Sequence, residues 1–335
     1  MSWQSRVLMR TSRIVIKPSL NALISVYGML IAAGPPGTAK ARWIQTMVAS
    51  SDHLAYPLRA VRGSTVEVLP GWPRIEKVSG PGELDENAAV VFFHGGGLVA
   101  GGFNSHRRLL SRLSANAHVP VYSVEYRLLI EHEFADAVRD GIAAYRAILA
   151  AGIDPAKVVL GGDSGGAAVA LGSAIAIRDG GLPLPAGVVI MSPWVDFDPT
   201  EKLADPRAKQ DAAIPIAGAW PMSGGRLMAE HVLARSVSEA RAVSPINHDL
   251  SRLPPFLIHA ADTEVLAIDA LALHDRLLDS GVRSGLKLWP GQIHVFQLAA
   301  DVVPEGRTSL EELGGFIRRM TGDQNDNRCE IGAAT

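Results

Sequence analysis

The chain has 335 residues, 47% of them hydrophobic and 20% charged. That balance excludes a disordered body and suits one large domain, or one domain with an elaborated cap. Lys and Arg number 32 against 34 Asp and Glu, a formal net charge of −2, so no basic footprint for nucleic acid exists. The single cysteine, Cys329, can close no internal disulfide and build no cysteine-based zinc site.

At the N-terminus, Arg6, Arg10, Arg13 and Lys17 precede an uncharged stretch over residues 18–38, within which residues 20–33 are mostly apolar. A charged start followed by an apolar run resembles a signal peptide or an anchor. The run is shorter than the ~20 residues a membrane helix needs, and Asn21, Ser25 and Gly28 dilute it. The favoured reading is a helical segment that packs on the protein itself, in a cytoplasmic protein. Export or membrane association is the less favoured alternative. Residues 34–41 (GPPGTAKA) only superficially resemble a phosphate-binding loop. Such a loop needs glycine before the lysine and Ser or Thr after it, where Ala39 and Ala41 stand. The stretch reads as a Pro/Gly turn.

From about residue 61, short strands alternate with amphipathic helices. Val66-Glu67-Val68 alternates like a half-exposed strand. Residues 88–93 form a continuous apolar run, as a strand buried on both faces requires. Residues 119–124 read as another strand. Phe134, Val138, Ile142, Tyr145 and Leu149 fall on one helical face. A short strand at 158–160 runs directly into Gly161-Gly162-Asp163-Ser164-Gly165-Gly166 and a small-residue helix over 167–177. Strands follow at 188–191, 256–259 and 286–289. Leu266, Ala270, Leu273 and Leu277 mark one further helix; Leu310, Leu313, Ile317 and Met320 mark the last. The alternation predicts an α/β fold with a mainly parallel central sheet and helices on both faces. Ligands of such sheets bind at the strand C-termini. Residues 1–60 and 198–243 break the pattern and are expected to form a helical cap over that rim. The core is then 61–197 plus 244–322, with a polar tail at 323–335.

The chemistry starts at Gly162-Asp163-Ser164-Gly165-Gly166, a G-x-S-x-G turn between strand and helix. Its glycines permit a tight turn that lifts the serine hydroxyl above the sheet, with the next amide at a helix N-terminus. His94-Gly95-Gly96-Gly97 follows the strand at 88–93, where backbone N–H groups without side chains can approach a substrate oxygen. His94 itself is read as a structural residue that orients this loop. A serine nucleophile needs an imidazole base and a carboxylate to orient it, in the chain order Ser, acid, His. His259 lies in a strand, His274 mid-helix, and His231 and His248 in or near the cap. His294 sits in a loop after a strand and is the expected base. Asp262, directly after the strand at 256–260, leads as the acid; Glu264 is its rival, and Asp269, deeper in the next helix, is disfavoured.

These motifs, together with Tyr126-Arg127-Leu128, Glu131-His132, Phe134, Ala137-Val138, Asp140, Ser192-Pro193-Trp194-Val195-Asp196, Ser244-Pro245-Ile246 and Leu253-Pro254-Pro255, resemble the hormone-sensitive-lipase-like (bacterial family IV) branch of the α/β-hydrolase esterases. The resemblance covers about residues 60–320. It implies the triad Ser164, Asp262 and His294, an oxyanion hole on the amides of Gly96, Gly97 and Gly165, and a cap from the N-terminus plus an insertion. It implies hydrolysis of short- to medium-chain esters, with a small-molecule ester as partner and no metal or cofactor. Edge-strand pairing into a homodimer is common in similar proteins. Leu129-Ile130, Glu133 and Gly165 depart from the family pattern and touch substrate loops and elbow packing. The competing readings are a non-catalytic binding protein of the same fold, and an amidase or peptidase on the same scaffold.

Overall fold

The computed structural model describes residues 1–18, 20–21, 52–53, 59–129, 132–217 and 236–322. Among them, β1 (Thr65–Leu69), β2 (Arg74–Ser79), β3 (Ala89–Phe93), β4 (Val121–Glu125), β5 (Val158–Asp163), β6 (Gly187–Met191), β7 (Phe256–Ala261) and β8 (Ser284–Trp289) form one sheet. Its order is β1-β2-β4-β3-β5-β6-β7-β8. β2 runs antiparallel to both β1 and β4; every other pairing is parallel. The helices are α1 (Trp3–Thr11), α2 (Phe103–Ala117), α3 (Phe134–Ala150), α4 (Gly165–Asp179), α5 (Thr200–Ala204), α6 (Arg207–Gln210), α7 (Val237–Val243), α8 (Ala267–Asp279) and α9 (Pro304–Thr321).

The period-2 geometry of the strands divides the core between two faces. In β3, Ala89, Val91 and Phe93 belong to the same apolar cluster as Ala144 of α3 and Val169 of α4, which continues along the sheet to Leu273 of α8. Val90 and Phe92 point the other way, to Leu109 and Leu113 of α2 and Leu310 and Leu313 of α9. β5 and β6 alternate likewise, with Leu160 and Ile190 on the first face and Val159 and Val189 on the second. Strands covered on both faces must be apolar at every position, which is why β3 and β6 read as continuous apolar runs. α4 is built from small residues because it lies deepest. A Cβ on Gly166 would stand 2.1 Å from the Phe93 carbonyl oxygen, so the start of α4 rests on the end of β3.

Two elements are not among those assigned from the sequence. β2 carries Glu76 and Lys77 in the middle of a short alternation, yet Ile75, Glu76 and Val78 are all buried. Glu76 pairs with Arg107 of α2 through two hydrogen bonds of 2.9 and 2.5 Å. α2 presents Phe103, His106, Leu110 and Leu113 to the interior, an i, i+3, i+7, i+10 face. Most of the apolar run 20–33, the turn 34–41, His231 and Cys329 lie outside the described residues. Within the described residues, no helix is long and apolar enough to cross a membrane.

The consequence for the site is topological. The parallel strands β3, β5, β6, β7 and β8 all end on one rim, and each loop singled out for its chemistry leaves from that rim. Packing depth should be readable in stability. Leu160→Ala, in the centre of the sheet, is expected to cost about 2–5 kcal/mol. Val68→Ala, 48% exposed on the edge strand, should stay within about 0.5 kcal/mol. Urea unfolding of both variants measures the difference.

Candidate active site

Ser164 stands between β5 and α4 with φ 50° and ψ −122°. A serine at positive φ is strained, and such strain persists only where surrounding bonds over-determine it. Here the Ser164 amide donates to the Met191 carbonyl at 3.0 Å, and the Ser164 carbonyl accepts from the Trp194 and Ala167 amides, each at 3.1 Å. The turn also needs its glycine: a Cβ on Gly162 would lie 2.4 Å from the Gly166 carbonyl oxygen. The hydroxyl is thereby fixed at the rim.

His294, on the loop after β8, brings Nε2 to 2.9 Å from the Ser164 hydroxyl. Its Nδ1 lies 2.5 Å from Glu264 Oε2. The other oxygen of Glu264, Oε1, accepts the Ala261 amide at 2.8 Å, and the side chain is buried. This corrects the expectation for Asp262. That residue is exposed and accepts the Gly291 amide at 2.8 Å, across to the loop after β8. The reason lies in the turn. Asp262 still follows the strand direction, its amide bonded to the Trp289 carbonyl at 3.2 Å. The chain then bends at Thr263, whose hydroxyl donates to the Gln292 carbonyl. Glu264 thus faces back over the end of β7, and its longer side chain reaches His294. Proximity to the strand end was the wrong criterion; direction after the turn decides.

Burial alone would lower the pKa of His294, but the charge of Glu264 and its hydrogen bond outweigh this and hold it above the ordinary imidazole value. With Glu264 ionised, Nδ1–H donates to it, and Nε2 is left to accept the serine proton. Two further strained residues brace the loop. Val295 has φ 45° and Ser192 φ 48°, and the Val295 amide donates to Ser192 Oγ at 3.0 Å. Asp211, from the expected cap insertion, is buried and accepts the Val265 amide at 2.8 Å, next to Glu264. Burial raises its pKa, against the pull of the Val265, Ile214 and Ala213 amides. Asp269 plays no part at His294. Its Oδ2 accepts the amides of Val195 and Asp196, both at 2.9 Å, and its Oδ1 accepts Lys202 Nζ at 2.7 Å in a buried pair. It ties the loop after β6 to α8.

The glycine loop lies directly over the elbow. A Cβ on Gly95 would stand 3.1 Å from Ser164 Cβ, and one on Gly165 would stand 3.0 Å from the Leu98 amide nitrogen. A Cβ on Gly97, at φ 63°, would meet nothing within 4 Å, so open space adjoins that backbone. Gly96 turns inward, its carbonyl accepting the Ala100 amide at 3.0 Å. His94 has the structural place expected for it. Its Nδ1–H donates to the Gly95 carbonyl at 2.8 Å, its own carbonyl accepts the Tyr126 hydroxyl at 2.7 Å, and the two rings stack at 4.6 Å. Burial, helped by the neighbouring His106, pushes its pKa down to about 4, so it stays neutral. His259 is a core residue, with Nδ1 at 2.9 Å from Ser309 Oγ. His274 meets Ser284 Oγ at 2.9 Å.

No local motif points to the pair beneath this loop. Asp163, the residue before Ser164, is buried and accepts the Gly95 amide at 2.9 Å. His106 Nε2 lies 3.1 Å from the same oxygen. Burial opposes both charges, but each partner overrides it: Asp163 is held below the ordinary carboxylate range and His106 above the ordinary imidazole value. The pair joins elbow, glycine loop and α2. His106→Gln strands a buried carboxylate and is expected to cost about 3–5 kcal/mol. The gap from wild type should be fullest between about pH 4 and 6.5. It should narrow as pH rises through the folded His106 value or falls through that of Asp163. Urea titrations across pH measure it.

Residues 90–298 match the family model described as alpha/beta hydrolase fold. An acetyl-hydrolase of Streptomyces hygroscopicus is 37% identical over 71% of this chain and 78% of its own. The esterase LipU of Mycobacterium tuberculosis is 36% identical over 70% of this chain and 78% of its own. The crystal structure of an esterase from the bacterial hormone-sensitive lipase family superposes with a TM-score of 0.72 at 30% identity, covering 91% of this chain and 99% of the other. With the fold and motifs already described, the chain belongs to the α/β-hydrolase family, among its hormone-sensitive-lipase-like esterases, and is a carboxylesterase-like hydrolase.

Proposed function

We propose that the protein hydrolyses short- to medium-chain carboxylic esters through an acyl-enzyme, with Ser164 as nucleophile, His294 as base and Glu264 as the orienting acid. One observation carries this reading: His294 stands with Nε2 at 2.9 Å from Ser164 Oγ and Nδ1 at 2.5 Å from the buried Glu264 carboxylate. The Ser164 proton passes to Nε2 as Oγ bonds to the ester carbonyl carbon. The amides of Gly96, Gly97 and Gly165 receive the negative charge on the carbonyl oxygen. The tetrahedral intermediate collapses, the alcohol leaves with the proton from Nε2, and Ser164 is acylated. Water then repeats the sequence and releases the acid. Glu264 fixes the tautomer and stabilises the imidazolium without itself taking the proton. The open space beside Gly97 and the acetyl-hydrolase name of a relative support small acyl groups. Residues 198–243, from which Asp211 reaches the amide after Glu264, are the cap insertion in this reading.

The proposal is tested with nitrophenyl esters of graded acyl length beside an aminoacyl nitroanilide. The esters of short and medium length should turn over and the anilide should not; the reverse ranking would make the protein an amidase. Glu264→Gln should lower kcat by about 10⁴-fold, because an amide stabilises the wrong imidazole tautomer. Asp262→Asn should cost less than about tenfold, since it disturbs one loop hydrogen bond. Only neutral His294 can accept the proton, so kcat/KM should rise with pH through a value above the ordinary imidazole pKa. In the Glu264→Gln residual activity that limb should move to lower pH. A larger loss in Asp262→Asn would contradict the assignment of the acid.

A further inference from the structure

α1 is mounted inside out. Its inward face is polar: among residues 1–15, Ser5 and Ser12 are the buried ones, seven residues and two turns apart. Ser5 Oγ lies 2.9 Å from Glu305 Oε2 and 3.0 Å from Gln292 Oε1, its one proton shared between these two acceptors, and Ser2 Oγ donates to Glu305 Oε2 at 2.8 Å. Ser12 Oγ, in the turn of π-helix that continues α1, donates to the Ala212 carbonyl at 2.8 Å. The outward face carries Trp3, Val7 and Ile14, exposed to 64, 52 and 74%. They follow i, i+4, i+11 spacing, a single helical stripe. Arg6, Arg10 and Arg13 are exposed beside the stripe. A helix on a water-soluble surface has the opposite sidedness, apolar residues inward.

Charge along the sequence has the same polarity. No Asp or Glu precedes Asp52, whereas six of the 32 Lys and Arg do: Arg6, Arg10, Arg13, Lys17, Lys40 and Arg42. An exposed apolar stripe rimmed by basic side chains, with no acidic residue nearby in sequence, complements an anionic lipid surface. Trp at the start of the stripe suits the boundary between headgroups and acyl chains. Among the described residues no helix is long and apolar enough to cross a membrane, which leaves the interface, not the bilayer core, as the place where this stripe can meet lipid.

We propose that α1 and the turn after it form an interfacial docking face for anionic phospholipid bilayers. Its position gives the docking a use. Gln292, which α1 holds through Ser5, is two residues from His294, and Met1 packs on Gly291 of the same loop. Lipid on the outer face of α1 lies beside the rim where the catalytic loop opens, so an ester dissolved in the bilayer is presented next to Ser164. The docking itself does not depend on the catalytic reading.

The test is flotation of the full chain with phosphatidylcholine vesicles containing phosphatidylglycerol, against phosphatidylcholine alone, at low and high salt. Binding is expected to the anionic vesicles only, and to weaken as salt screens the charges. Arg6→Gln/Arg10→Gln/Arg13→Gln should weaken it by roughly 100-fold. Trp3→Ser/Ile14→Ser should weaken it at least about tenfold. Both variants should keep wild-type turnover of a soluble ester, and Ser164→Ala should float like wild type. Folded wild type that ignores anionic vesicles overturns the proposal. So does binding unchanged in both multiple variants. A concentration-dependent dimer lost on Trp3→Ser/Ile14→Ser would instead give the face to a second copy. A large fall in melting temperature in that variant, without vesicle binding by wild type, would give it to the chain's own residues.

Discussion

The bond between His294 Nδ1 and Glu264 organises the rim of this molecule. A buried carboxylate is costly unless fully satisfied, and Glu264 is satisfied from two directions, by the imidazole and by the Ala261 amide. That double hold anchors the His294 loop to the end of β7. The neighbouring amide, Val265, is held in turn by Asp211, which links the same turn to residues of the cap insertion. The imidazole can therefore keep one tautomer and one orientation toward Ser164, with no reorganisation required when charge develops.

The sheet beneath supplies the rigidity this needs. Ser164, Ser192 and Val295 are all at positive φ, and Ser164 is held to the end of β6 by the bond from its amide to the Met191 carbonyl. Ser192 is itself tied to β7 by a 2.7 Å bond from its amide to the His259 carbonyl, and it accepts the Val295 amide. The Asp163–His106 pair is the second buried charge cluster. It presses the glycine loop onto the elbow from below, as the Glu264–His294 pair positions the imidazole from the side. Lys202 and Asp269 form a third, fastening the loop after β6. Each is a polar contact placed where an apolar one could not define direction.

Much of this was readable from residues alone. The continuous apolar runs at β3 and β6, the strand-to-helix turn around Ser164 and the isolated loop position of His294 carry local signals, and the structure brings Ser164 and His294 together. β2 was missed because Glu76 and Lys77 mask its alternation; the partner that buries Glu76, Arg107, is distant in sequence and on α2. α2 itself shows a recognisable apolar face, with His106 on it, and a search for helical spacing after the glycine loop could have found it. Glu264 could not be separated from Asp262 by spacing. Both follow β7 within three residues, and the choice depends on a bend at Thr263 that is fixed by a contact to Gln292, on another loop. The inverted face of α1 was likewise hidden: its apolar and basic residues are visible in sequence, but only the fold shows that its serines point inward.

The proposed acyl-enzyme is carried on Ser164 Oγ. Treating the folded protein with an organophosphonate and mapping the peptides by mass spectrometry tests it directly. One adduct is expected, on the peptide carrying Ser164, appearing in step with the loss of ester hydrolysis and absent in Ser164→Ala. An adduct on another serine that tracks the loss of activity, or full inactivation with Ser164 unmodified, would contradict it.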